Sequence, residues 1–338
     1  MKKLVLAIAL LVATAASAAP VITSITPSSG PVTGGTQVTI QGSGFNSDCP
    51  PDCHLTPSVF FGGLPAATET IVDSTTIIAT TPVSFPGPVA VTRGQIDGTF
   101  GVENGFTFTG DARDAFEPLL LPIFVPVVHG AFGTTFVSTL SIWTSDPGVV
   151  PLYGLGFNPC GNFEPCIPPQ FPFLFTVSGR EPQQSAFSPT GDPGAVVWIR
   201  KGSFDQLAAS LRVMEVTREL TTGTSIPLLR ESSFRSNVFA LLDLPNVAPH
   251  DPLFRSTLRV YSLDPGTSVH VRSDGNVIHA DTDLTLADAS DIFHPAYAQF
   301  DVPLAALRVE ITPNEGHRVW AFVTITQNET QHITVIAP

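Results

Sequence analysis

Apolar residues along this chain fall in short alternating runs, broken every few positions by Gly, Pro, Ser or Thr, and scarcely any segment has the spacing of a helix face. Val21, Ile22 and Ile25 make one run that stops at Pro27, and Ser28-Ser29-Gly30-Pro31 then supplies turn residues. After Gly34-Gly35, Val38 and Ile40 alternate with polar neighbours, which predicts a half-buried strand. Gly42 and Gly44 flank Ser43 ahead of Phe45, so the backbone there is free to take positive φ and turn the aromatic ring back over the end of a sandwich. The same period recurs to the end of the chain and predicts an all-β, loop-rich protein.

Two of the later runs repeat. FVSTLSIW, from Phe136 to Trp143, matches FRSTLRVY, from Phe254 to Tyr261. The stretch that begins at Phe204 and runs through Leu211-Arg212-Val213 matches, with small gaps, the one that begins at Phe300 and runs through Leu307-Arg308-Val309. Collinear matches predict two related β-sandwich units, residues 114–250 and 251–338, because alternating strands separated by turns at this spacing favour sandwiches. The polar stretch Gly110-Asp111-Ala112-Arg113-Asp114 marks the boundary with what precedes them.

Residues 19–110 resemble the IPT/TIG domain, an immunoglobulin-like β-sandwich. Pro20, Ile22, Ile25, Pro27, Gly30, Pro31, Gly34, Gly35, Val38, Ile40, Gly42, Gly44 and Phe45 stand in register with that family's opening. Val59-Phe60-Phe61-Gly62-Gly63, the segment from Ile77 to Pro82, and Phe106-Thr107-Phe108 are similar to its later strands. The resemblance implies a binding or spacer module without catalytic residues, of a kind found in surface proteins, polysaccharide-active enzymes and some DNA-binding factors.

Lys2-Lys3, the apolar run from Leu4 to Val12 and the small residues ending Ala16-Ser17-Ala18 have the three parts of a secretory signal peptide, residues 1–18. The run is shorter than the roughly 20 residues of a membrane span, and Pro122 and Pro126 interrupt the only other strongly apolar stretch. Export to the periplasm or exterior without a transmembrane segment is therefore expected. Losing two lysines leaves 14 basic against 29 acidic residues, a formal net charge of −15 in place of −13. A chain so acidic repels phosphate backbones, and Arg93 is the single basic residue of the first domain, so nucleic acid is not an expected partner.

Candidate chemistry is sparse. No G-x-S-x-G elbow, H-E-x-x-H helix or phosphate loop is present, no cofactor is implied, and neither an acid pair nor a Ser-His-Asp set is singled out by spacing. Trp143 and Tyr261 end the matched strands on the face opposite Phe136, Leu140 and Ile142, or Phe254, Leu258 and Val260. They are candidates for an aromatic platform, unless another strand, loop or domain covers them. Asp274-Gly275 signals a two-residue hairpin that sets His270 opposite His279, with Asp281 two residues further on. His270, His279 and Asp281 are thus candidate metal ligands, against the simpler reading of a solvated face carrying Arg272. Together these features predict a secreted, bacterial-type binding or adhesion protein that recognises a protein or a glycan, with part of a polysaccharide-degrading system as the alternative.

Cys49 and Cys53 enclose three residues, and Cys160 and Cys166 enclose five. In an oxidising compartment two local disulfides are expected in preference to a metal site at Cys49, Cys53 and His54. Thiol titration of the unfolded, unreduced protein should find no free cysteine, and peptide mapping should join Cys49 to Cys53 and Cys160 to Cys166; a bond crossing between the pairs would overturn this scheme.

Overall fold

The protein is described here by a computed structural model. It covers residues 21–45, 58–95, 98–123, 127–129, 133–145, 149–154, 173–178, 183–185, 194–217, 223–244, 252–275, 280–289, 291–302 and 306–338. The signal-peptide residues, the four cysteines and His279 lie outside these described residues. Two compact units part after Asp111.

Among the described residues the first unit has nine strands, β1 (Val21–Thr26), β2 (Ser29–Pro31), β3 (Gln37–Ser43), β4 (Ser58–Phe61), β5 (Leu64–Pro65), β6 (Thr68–Asp73), β7 (Thr76–Thr80), β8 (Gly87–Gln95) and β9 (Gly98–Thr109). They form two sheets, β1-β3-β7-β6 and β2-β9-β8-β4-β5. Val38, Ile40 and Ile77 from one sheet and Phe61, Phe106 and Phe108 from the other are buried. The three phenylalanines meet edge to face with centroids 5.0 to 6.4 Å apart, the arrangement that ring quadrupoles favour. Phe45 is buried as the glycines before it suggested: Gly44 has φ 75°, and a Cβ on Gly42 would stand 2.4 Å from the Phe45 ring and 2.0 Å from the Val21 carbonyl oxygen. Arg93 is itself fully buried, 3.8 Å from the Glu69 carboxylate.

The second unit opens with the one-turn helix α1 (Ala112–Ala115), followed by β10 (Phe116–Pro122), β11 (Val128–His129), β12 (Thr135–Thr144), β13 (Val149–Tyr153), β14 (Phe173–Ser178), β15 (Gln183–Ser185), β16 (Gly194–Arg200), β17 (Leu207–Glu215), β18 (Thr224–Ile226) and β19 (Leu229–Arg230). It continues with β20 (Phe239–Leu242), β21 (Phe254–Ser262), β22 (Ser268–Gly275), β23 (Ala280–Thr285), β24 (Ala296–Asp301), β25 (Ala306–Pro313), β26 (Val319–Gln327) and β27 (Ile333–Ile336). Strands β10 to β19 build one sandwich from the sheets β14-β13-β16-β10-β19 and β11-β12-β17-β18, with β15 also on β12. Strands β20 to β27 build another from β20-β25-β22-β23 and β24-β21-β26-β27. Each sandwich has its own core, around Leu119, Leu140, Leu152 and Val197 in one and around Leu241, Leu258, Val271 and Val309 in the other.

The two sandwiches share one pairing scheme. If β10, β12, β13, β14, β15, β16, β17 and β18 are set against β20, β21, β22, β23, β24, β25, β26 and β27 in turn, every described strand pairing within the first set has its counterpart in the second. Phe136 and Phe254 then occupy equivalent strands, β12 and β21. The second sequence match is corrected: the partner of β12 in its sheet is β17, but the partner of β21 is β26 and not the strand β25 that carries Leu307-Arg308-Val309. Phe204 and Phe300 are therefore not equivalent. The reason is visible in β26, which is buried at every position from Val319 to Thr326, so its sequence is nearly continuous in apolar residues and no longer resembles β17, whose outer positions Ala208, Ser210 and Arg212 are exposed. Strand β20 pairs with β25, so residues 239–242 sit in the second sandwich's sheet, whereas the sequence placed them with residues 114–250.

An aromatic seam joins the sandwiches. On the outer face of β24-β21-β26-β27, Tyr261 stacks on Phe322 at 6.2 Å with an interplanar angle of 7°, and Tyr297 and Trp320 lie at 5.1 and 4.9 Å from these rings. The Ile123 amide, at the end of β10, donates to the Tyr261 hydroxyl at 3.3 Å, and Gly194 lies so close that a Cβ there would be 3.0 Å from the Tyr261 ring. From the other side, Trp198 of β16 donates its indole N–H to the Ile292 carbonyl at 2.8 Å. Ile333 and Val335 of β27 pack into the core of the first sandwich. Tyr261→Phe should lower unfolding stability by about 1 kcal/mol through the lost hydrogen bond, and Tyr261→Ala by about 3 to 5 kcal/mol through the void left in the seam, both read by urea denaturation. Equal, negligible effects would mean that the ring does not hold the two sandwiches together.

Candidate functional site

Strand alternation sends Phe136, Leu140 and Ile142 of β12 into the core and leaves Thr139, Ser141 and Trp143 on the outer face. Across the ladder, Trp143 stands opposite Ala208, Ser141 opposite Ser210 and Thr139 opposite Arg212 of β17. Trp143 is 37% exposed and is the one exposed aromatic among the described residues. Its neighbours on β17 and β12 are short, Ala208, Ser210 and Ser141, while β15 runs along the other edge of β12 with Gln184 opposite Ser141. Arg212 was missed from sequence, although the outer positions of its strand, Ala208, Ser210 and Arg212, carry no acid in a chain rich in them.

Tyr261, proposed as the second platform residue, is corrected. It occupies the position that matches Trp143 and points to the outer face as expected, yet it is fully buried because the first sandwich covers that face. Burial pushes its phenol far above the ordinary range, so it stays a neutral hydrogen-bonding group at every physiological pH. Trp320, on the same face, is also buried, in the seam between the sandwiches.

The histidine hairpin is also corrected. Ser273 pairs with Ala280 and His270 with Asp283, so β22 runs on through Asp274-Gly275 instead of turning there. Asp274 and Gly275 gain partners on β25, at Arg308 and Ala306, which a tight turn would forfeit. The shift in pairing is even, so Val269 and Val271 stay buried and His270 stays outside; alternation alone does not separate the two registers. His270 does meet Asp281, at 2.9 Å through Nε2, and Asp283, at 2.8 Å through Nδ1. His270 thus faces two carboxylates, and His279, the other histidine of the expected ligand set, lies outside the described residues.

A cleft of about 150 Å³ lies where β17 and β18 approach the turn before β27, lined by Phe136, Val213, Glu215, Thr224, Gln331 and His332 among others. Its carboxylate, Glu215, accepts the Thr217 amide at 2.8 Å and the Thr135 amide at 3.4 Å, so it serves as a backbone anchor.

Residues 20–109 match the family model of the IPT/TIG domain. The first unit is an IPT/TIG domain. No curated protein matches the chain. Among solved structures, gamma-CGTase from alkalophilic Bacillus clarkii is 18% identical over 63% of this chain and 24% of its own, with a TM-score of 0.22, so this chain spans about a quarter of that protein. SGBP-B from a complex xyloglucan utilization locus in Bacteroides uniformis is 12% identical, covering 94% of this chain and 73% of its own, with a TM-score of 0.21. The surface glycan-binding protein PbSGBP-B from Prevotella bryantii is 9% identical over 95% and 99%, with a TM-score of 0.22. Scores of this size establish no common arrangement over the whole length. No helix among the described residues is long and apolar enough to cross a membrane.

The His270 contacts carry a pH signature. The hydrogen bond to Asp283, with the charges of Asp281 and Asp283, raises its imidazole above the ordinary 6.5, against the smaller opposing effects of desolvation and of Arg272. A raised folded value means that the contribution to stability is fully present below pH 6.5 and is lost as pH rises through the folded value. In an NMR titration His270 should titrate above 6.5 and return towards it in Asp283→Asn; an unchanged value in the variant would show that the carboxylate does not hold the ring.

Proposed function

We propose that this protein is a non-catalytic, exported binding protein that captures a glycan on the outer face of the β11-β12-β17-β18 sheet. The observation that carries this reading is Trp143, 37% exposed on the outer face of its strand next to Ser141, Ala208 and Ser210. A sugar ring presents an apolar C–H face to an indole and hydroxyls at its rim, and an aromatic beside serine hydroxyls is complementary to both. The rigidity of the support also counts in favour: β12 is held by β17 along nine consecutive register positions, so the face is formed before any ligand arrives and little ordering entropy opposes binding. The IPT/TIG domain fits as a spacer or accessory module in such a protein.

Affinity electrophoresis of the mature protein through gels containing a panel of plant and microbial polysaccharides tests the proposal. At least one polysaccharide should retard the wild type, and Trp143→Ala should abolish that retardation while leaving the melting temperature within a few degrees, since the side chain is not part of either core. Loss of folding in Trp143→Ala, with Trp143→Phe restoring it without binding to any panel member, would make the residue structural. Hydrolysis of any panel member by the purified protein would remove the non-catalytic part of the reading.

A further inference from the structure

We infer that the glycan taken by the Trp143 face is an acidic one, bearing uronate or sulfate groups; the inference rests on the proposed function above. Three observations on the same face point to it. The mature chain carries 29 acidic residues against 14 basic ones, yet the outer positions of β12, β17 and β18 hold no carboxylate among the described residues. Arg212 is accordingly the one charged residue at those positions among the described residues, so the local charge of the face is positive.

Arg212 stands in the middle of that face, exposed, opposite Thr139 on one side and Ser225 on the other. It has no ion-pair partner among the described residues, whereas the arginines of the seam and its surroundings are engaged: Arg113 and Arg318 with Glu231, Arg230 with Glu117 and Asp205. A planar guanidinium with five donors suits the paired oxygens of a carboxylate or sulfate in a way that a hydroxyl does not reproduce.

The spacing completes the case. Arg212 lies four residues along β17 from Ala208, the partner of Trp143, which is about 13 Å of strand, with Ser210 and Ser141 between them. A short oligosaccharide laid along the strand therefore stacks one ring on the indole, hydrogen-bonds through its middle to the two serines and brings an anionic substituent to the guanidinium. The negative charge of the whole chain opposes a polyanion at long range, but that field is screened beyond about 8 Å at physiological salt, while the contact with Arg212 is direct.

The probes are polygalacturonate, alginate and chondroitin sulfate, each paired with its methyl-esterified form, which for chondroitin sulfate is also desulfated, so that charge is removed on a constant backbone. At least one acidic form should bind several-fold more tightly than its neutral counterpart. Arg212→Ala should weaken that acidic form about tenfold and leave the neutral form unchanged, as expected for a lost charge-assisted pair, and Arg212→Lys should recover part of the difference. Trp143→Ala should abolish both. Trp143-dependent binding that is equal for charged and neutral forms, or insensitive to Arg212→Ala, overturns the acidic preference and leaves the glycan-binding reading standing. Failure of every glycan, charged or neutral, to bind in a Trp143-dependent way overturns both.

Discussion

Four rings, Tyr261, Tyr297, Trp320 and Phe322, lie on a sheet face that has its own sandwich core behind it and would otherwise meet water in front. Burying an aromatic side chain stabilises a fold by roughly 1.5 to 3 kcal/mol, so a face with four of them needs a cover. The first sandwich provides it, and the polar ends of the seam are answered as the apolar parts are: the Ile123 amide reaches the Tyr261 hydroxyl, and the Trp198 indole reaches the Ile292 carbonyl. Residues 112–338 consequently form one compact unit, although they contain two cores.

The rim of the seam is ionic. Glu231 receives Arg113 at 3.0 Å and Arg318 at 2.6 Å, and Asp264 lies within 4.0 Å of both arginines. These side chains are about a fifth to two fifths exposed, so solvent screening leaves each pair worth little in stability. Their effect is on orientation, since a carboxylate shared by two guanidiniums suits one docking of the sandwiches and not its neighbours.

Covering one sheet leaves its counterpart available. Trp143 and Tyr261 hold matching places in two sheets built on the same pairing scheme, and they differ in surroundings, not in backbone. Because the seam uses the outer face of β21 and β26, the indole on β12 keeps more than a third of its surface in solvent and the phenol on β21 keeps none. Two sandwiches with one pairing scheme thus use the corresponding face differently: in one it is covered by the neighbouring sandwich, and in the other it carries Trp143 and, four residues along the facing strand, Arg212.

Much of this was open to reading from the chain itself. Alternation placed the strands and their inward faces, since a period of two needs no partner to be recognised, and the glycines around Phe45 and the IPT/TIG pattern identified the first domain because backbone constraints are local. Which β-strand neighbours which was not readable beyond the IPT/TIG domain: β17 and β25 carry similar alternation, and only pairing shows that β26 is the counterpart of β17. The hairpin at Asp274-Gly275 failed for a related reason, because an even change of register keeps Val269 and Val271 inside and the turn residues lose to a third strand. Exposure of Trp143 and burial of Tyr261 were decided by the tertiary structure alone, since alternation assigns a side chain to a face of its sheet, and what covers that face comes from residues more than a hundred positions away.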